Sequence, residues 1–164
     1  SQMFSPVVLL VGISQLMNTL HLNDTIIGLM LINAAFNQAF AIWLLRGTFV
    51  SISPEMEQAA CIDGCGLWRC FFSIITPIVK PALATASIFT FLGTWNELML
   101  ANTFVDKDVY RTLPVGIMSF AGQYSTDWGL IGAGMVIATL PTILIYFLLS
   151  NQVQESLVAG AVKG

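Results

Sequence analysis

Apolar positions gather along this chain into four runs, about 18 to 25 residues each, which is the length a membrane-spanning helix needs. They cover 3–20, 26–45, 81–104 and 129–149. The first carries Gly12 and turns polar at Ser14, Gln15 and Asn18; Asp24 and Thr25 then suit the cap of the second. Asn33 and Asn37 lie four apart in the second run, on one helical face. The third holds Glu97 beside Trp95 and Asn96. In the fourth, Gly129, Gly132 and Gly134 predict close helix approach and Pro141 a kink. No internal repeat or second domain is visible, so 1–164 reads as one all-α, polytopic transmembrane helical bundle.

The longest interruption, Ser53 to Pro81, has its own helical grammar. Ser53 can cap, Pro54 suits a first helical position, and Glu55 and Glu57 favour the positive end of a helix. After two to three turns, Gly64 and Gly66 permit a sharp change of direction. Leu67 to Ile75 follows as an interfacial helix, with Trp68, Phe71, Phe72 and Ile75 on one apolar face. Pro77 and Pro81 then punctuate re-entry into the third run. Met56, Ala59, Ala60 and Asp63 share a face with small residues at its middle, a surface suited to a cleft in another chain. The pattern predicts a helix-turn-helix docking element over 53–80, exposed on one side of the membrane.

Composition narrows the class. Only 9% of residues are charged against 56% hydrophobic, where soluble domains carry roughly 25% charged residues. The net charge of −3 and the lack of a basic run exclude nucleic acid as a partner. Of the six Lys and Arg, Arg46, Arg69, Lys80 and Lys163 fall on the side of the central loop and C-terminus, against Lys107 and Arg111, so the loop is expected in the cytoplasm. Cys61, Cys65 and Cys70 would then stay reduced, and their spacings do not fit zinc. His21 has no partner at ligand spacing and reads as solvated. No cofactor or metal is expected. The chain opens on Ser1 with no basic flank before Arg46, and the expectation is the C-terminal portion of a longer protein.

Two sets of polar residues could meet a solute. Asn33, Asn37, Asn96 and Glu97 could line a path, or hold helices together through hydrogen bonds. Glu97 is the most expensive residue in the runs and is expected toward the outer half, beside interfacial Trp95. In the outer segment, Phe120, Tyr124 and Trp128 beside Gln123 and Asp127 could stack on sugar rings, or form an aromatic belt and a partner surface.

Gln58-Ala59-Ala60, three residues, Gly64, nine residues, Ile74 and then Pro77 resemble the EAA loop of ABC-importer permeases. Gln58 stands where that pattern has glutamate and Thr76 where it has leucine, while Glu57 offers a carboxylate one position early. LLRGTF at 44–49, FLGTWNE at 91–97 and the tail VAGAVKG are similar to the carbohydrate branch of these binding-protein-dependent permeases, maltose-type and multiple-sugar-type. The resemblance implies six spans in the whole protein, four of them here, in a prokaryotic inner membrane. It also implies a second permease subunit, a cytosolic ATPase dimer gripping the loop at Glu57, Gln58, Ala59, Ala60, Asp63, Gly64, Ile74 and Pro77, and an extracytoplasmic binding protein delivering a carbohydrate. The chain itself has no phosphate-binding loop and no catalytic constellation, so it is not read as an enzyme. A secondary transporter fragment, an importer of a non-sugar solute and a membrane-embedded enzyme are the competing readings.

Overall fold

The computed structural model describes residues 6–122 and 125–161. Met3 to Ser5, Gln123, Tyr124 and Lys163, which enter the readings above, lie outside the described residues. In chain order the helices are α1 (Pro6–Thr19), α2 (Ile26–Val50), α3 (Pro54–Ile62), α4 (Leu67–Cys70), α5 (Thr76–Trp95), α6 (Met99–Phe104), α7 (Leu113–Met118) and α8 (Trp128–Ala161). A π turn, Phe71–Ile75, joins α4 to α5, and a 3-10 turn, Asp108–Tyr110, precedes α7. The fold is all-α; the one extended pairing among the described residues is a bridge from Ala121 to Thr126.

Among the described residues, three helical stretches are long and apolar enough to cross a membrane: Ile26–Val50, Leu67–Trp95 and Trp128–Leu148. The first helix, α1, is apolar but shorter, at 14 residues. The second and third runs differ from the sequence reading at their ends. Arg46 does not close the second helix, which continues through Gly47 to Val50 before Ser51 and Ile52 turn back onto Thr48 and Phe49. The third apolar helix spans 67–95 rather than 81–104, because the two prolines fail to interrupt it. At its start the π turn shifts the hydrogen-bond register, with the amide of Thr76 donating to the Phe71 carbonyl, so that Pro77 enters one residue after the change. The Thr76 hydroxyl donates to the same carbonyl at 2.8 Å. Pro81 lies within α5, and the Thr85 hydroxyl donates to its carbonyl at 3.0 Å. Each hydroxyl adds a bond within its own helical turn, on a carbonyl other than the one that a proline leaves without its amide donor.

The chain divides into two compact units, one of residues 1–39 and 91–145, the other of 40–90 and 146–164. The first has a core of Met17, Leu29, Ile32, Leu100, Ala101, Phe104, Val105 and Val115. Thr25 caps α2, its hydroxyl accepting from the Gly28 amide at 3.1 Å. A Cβ at Gly28 would lie 2.2 Å from the Leu22 carbonyl oxygen, so glycine is required for that turn to close. Asp24 has a different task from the capping expected of it. With φ of 54° it turns its carboxylate onto the amides of Asp106 (3.0 Å) and Lys107 (2.9 Å) and pairs with the Lys107 ammonium at 3.0 Å. The Asp24 carboxyl is held below the usual carboxylate range, chiefly by the Lys107 amide, against an opposing desolvation and with help from the Lys107 ammonium. In the second unit, α5 buries Val79, Ala82, Thr85, Ala86 and Ile88, and Phe40 meets Phe89 edge-on at 5.8 Å.

Candidate functional site

The 53–80 segment folds as a tight elbow. Ser53 accepts from the Glu55 amide at 3.3 Å and caps α3, with Pro54 in the first turn as its fixed φ favours. At the other end the Cys65 amide donates to the Ala60 carbonyl (2.9 Å) and the Gly64 amide to the Cys61 carbonyl (3.0 Å). That pair of bonds is a Schellman stop, which needs a left-handed residue just past the helix. Gly64 supplies it, with φ of +72°. A Cβ there would meet nothing within 4 Å, so the glycine is needed for its dihedral and not for space. Gly66 starts α4, its carbonyl accepting from the Cys70 amide at 2.9 Å.

The elbow sorts the expected docking residues. Ala60 is 4% exposed and faces inward, whereas Glu57, Gln58, Ala59, Asp63 and Gly64 are exposed. Ile74 is half-buried in the π turn, and Pro77 is exposed just beyond it. The face of four residues read from spacing therefore loses Ala60 to packing against the elbow. The second arm also differs from the free interfacial helix expected: α4 and the π turn are the foot of the long 67–95 helix. That foot presents a large apolar surface, with Trp68 78% exposed and stacked on Phe72 at 6.2 Å, and Phe72 edge-on to Phe71 at 5.1 Å. Between the arms lies a cavity of about 490 Å3, lined by Glu57, Cys61, Cys65, Leu67, Trp68, Cys70, Phe71 and Ile75.

The polar residues of the first unit are mostly engaged with backbone. Asn33 is buried and donates to the Leu29 carbonyl of its own helix at 3.0 Å. Asn37 donates to the Asn33 carbonyl (2.9 Å) and across to the Thr94 hydroxyl on α5 (3.2 Å). Asn96 is exposed and donates to the Leu92 carbonyl at 2.8 Å. Glu97 stands in the break between α5 and α6, and its two oxygens accept from the Leu100 amide (2.6 Å) and the Ala101 amide (2.9 Å). From the position before the N-cap residue Leu98 its carboxylate thus caps α6, a placement that meets its need for donors at a helix start. Trp95, read as an interfacial anchor, donates its indole N–H to the Ala138 carbonyl on α8 at 3.0 Å. That carbonyl is one residue beyond Ile137, whose usual helical donor is missing at Pro141. Asp127, read beside the aromatics, caps α8 by accepting from Gly129 and Leu130, both at 3.0 Å. Sequence reasoning missed these caps; an acid two to four residues ahead of an apolar run was the available signal. Of Gly129, Gly132 and Gly134, read as sites of close helix approach, only Gly134 marks one, to the Ile117 side chain.

Cys61 is exposed, Cys65 half-buried and Cys70 buried, all as free thiols. Among the described residues no group of three His, Cys, Asp or Glu side chains is placed to hold a metal ion.

Comparison with known proteins places this geometry in a family. The probable ABC transporter permease protein YurM of Bacillus subtilis (strain 168) is 40% identical over 162 residues, 99% of this chain and 54% of its own length. The sulfoquinovosyl glycerol transport system permease protein SmoH of Agrobacterium fabrum is 32% identical over 161 residues, 98% of this chain and 56% of its own. The trehalose transport system permease protein SugB of Mycobacterium tuberculosis is 33% identical over 164 residues, 99% of this chain and 60% of its own. The chain thus spans about half the length of the curated relatives it matches. The profile of the binding-protein-dependent transport system inner membrane component matches residues 2–157, and the chain belongs to that family of multi-pass inner-membrane transport proteins.

Proposed function

We propose that this chain belongs to a permease subunit of an ATP-binding-cassette importer for a sugar, and that the 53–80 elbow is where a cytosolic ATPase grips it. The observation that carries the docking assignment is the elbow: a glycine-dependent stop that exposes Glu57, Gln58, Ala59 and Asp63 on one arm. Ile74 and Pro77 set the other arm. The remaining partners are a second permease subunit and an extracytoplasmic binding protein, with four spans here, α1 the shortest, and the loop and C-terminus in the cytoplasm. The trehalose and sulfoquinovosyl glycerol systems named for two relatives support a carbohydrate. Asn37 and Asn96 are the residues we carry forward as path-lining, since Asn33 is buried and Glu97 caps a helix.

A secondary transporter reading would need an ionisable group free to exchange protons or ions in mid-span. Glu97 already accepts two backbone amides, which argues against it in that role. The test is purification of the complete permease from membranes. An ATPase subunit that copurifies with the native elbow and dissociates when the elbow is altered supports the reading. Saturable sugar uptake by the permease with no ATPase present refutes it.

A further inference from the structure

The cavity in the elbow shares Glu57 with the proposed docking arm, and the rest of its lining is sulfur and apolar side chains. Its volume of about 490 Å3 falls in the range of small-molecule sites. Leu67, Trp68, Phe71 and Ile75 give it apolar walls, and all three cysteines of the chain line it. Cys61 and Cys65 are accessible at its edge, whereas Cys70 is buried beneath. Glu57 is the one charged side chain in the lining. Nucleophilic sulfur, an aromatic wall and a single negative charge together select a ligand that is small, apolar, uncharged or cationic, and electrophilic.

We propose that this cavity is a covalent-capture site for small apolar α,β-unsaturated carbonyl compounds, with Cys61 and Cys65 as the nucleophiles. The reaction needs no oxidant. The thiol gives its proton to water, the thiolate forms an S–C bond at the β-carbon, and the displaced π pair passes to the α-carbon, which takes a proton back from water. The ring of the bound compound lies against Trp68 and Phe71, which raises its local concentration beside the sulfur atoms. Bound there, it occupies the angle between the two arms. The site stands independently of the docking assignment, because adduct formation is read by mass and docking by copurification.

The test uses the complete transporter in detergent, treated with N-phenylmaleimide or with its para-sulfonated analogue. Each rate is normalised to that reagent's rate with glutathione, and the adducts are located by peptide mass mapping. We expect adducts at Cys61 and Cys65 ahead of Cys70, with the apolar reagent favoured about tenfold through burial of its ring. Trp68→Ala should erase most of that preference, and because Trp68 is 78% exposed the substitution removes little packing. Glu57→Gln should raise the sulfonated reagent's rate by a few fold as the repulsion is lost. Equal normalised rates for the two reagents in the native protein would overturn the proposal, as would a preference that survives Trp68→Ala. If the Trp68 variant does not assemble, a sulfonated-reagent rate unmoved by Glu57→Gln overturns it instead.

Discussion

Substitutions at Gly64 separate a conformational role from a steric one. At φ of +72° an L-residue sits in the left-handed region, which costs roughly 1–2 kcal/mol for most side chains and less for Asn. Open space around the would-be Cβ means that no clash is added. The Schellman geometry should therefore be lost in proportion to dihedral preference alone, with Gly64→Asn mildest, Gly64→Ala intermediate and the β-branched Gly64→Val worst. At 1.4 kcal/mol per factor of ten, the alanine variant loses about five- to thirtyfold in the ratio of formed to unformed elbow. Gly64 itself is exposed, so membrane levels should stay near those of the native protein in all three. The assay is sugar uptake in whole cells normalised to permease level, run alongside copurification of the ATPase. Both readouts should fall together in the order Asn, Ala, Val. Uptake that ignores this order, or a valine variant that transports as well as asparagine, refutes the coupling argument at this residue.

Three further outcomes follow from other contacts. Gly28→Ala should sharply lower the amount of folded protein in membranes, since a Cβ 2.2 Å from the Leu22 oxygen forces the 22–28 turn open; unchanged abundance and thermal stability would contradict this. Glu97→Gln should weaken α6 by about 1 kcal/mol while uptake persists at a reduced level, because one amide oxygen cannot serve both donors as the carboxylate does; complete loss of uptake with a normal melting temperature would point to an ionisable coupling group. The Asp24 clip should release in acid. Its carboxyl is depressed in the folded state, so its contribution is fully present above the unfolded-state carboxylate pKa and is lost as pH falls through the lower folded-state value. The melting temperature of native protein should drop in that acidic window more than that of Asp24→Asn, and parallel pH profiles would refute the clip.

Much of the site was legible because its signals are local. Ser53, Pro54 and Gly64 announce a helix start and stop through dihedral and capping preferences that no tertiary contact overrode. Pro77 and Pro81 misled for the opposite reason. A proline predicts interruption only where the surrounding helix cannot do without its amide, and here the helix runs through both, with a π turn just ahead of Pro77 and Pro81 inside α5. Glu97 was misplaced because nothing at 96–98 resembles a breaker, so a helix end looked like an acid inside a span. The Asn37–Thr94 and Trp95–Ala138 bonds join residues 57 and 43 positions apart, a separation at which no periodicity speaks.

The π turn at Phe71–Ile75 also fixes an angle. A π turn amounts to one residue more than an α-helix would use, and successive α-helical residues are offset by about 100° around the axis. Removing a single residue from FFSII and letting the helix close up would therefore turn α4 about 100° around the stem of α5, against an α3 that stays tied to α2 through 51–53. The bearing of α4 on α5 thus depends on a residue count as well as on contacts. A one-residue deletion paired with a one-residue insertion later in α5 would separate the elbow's compass direction from its chemistry.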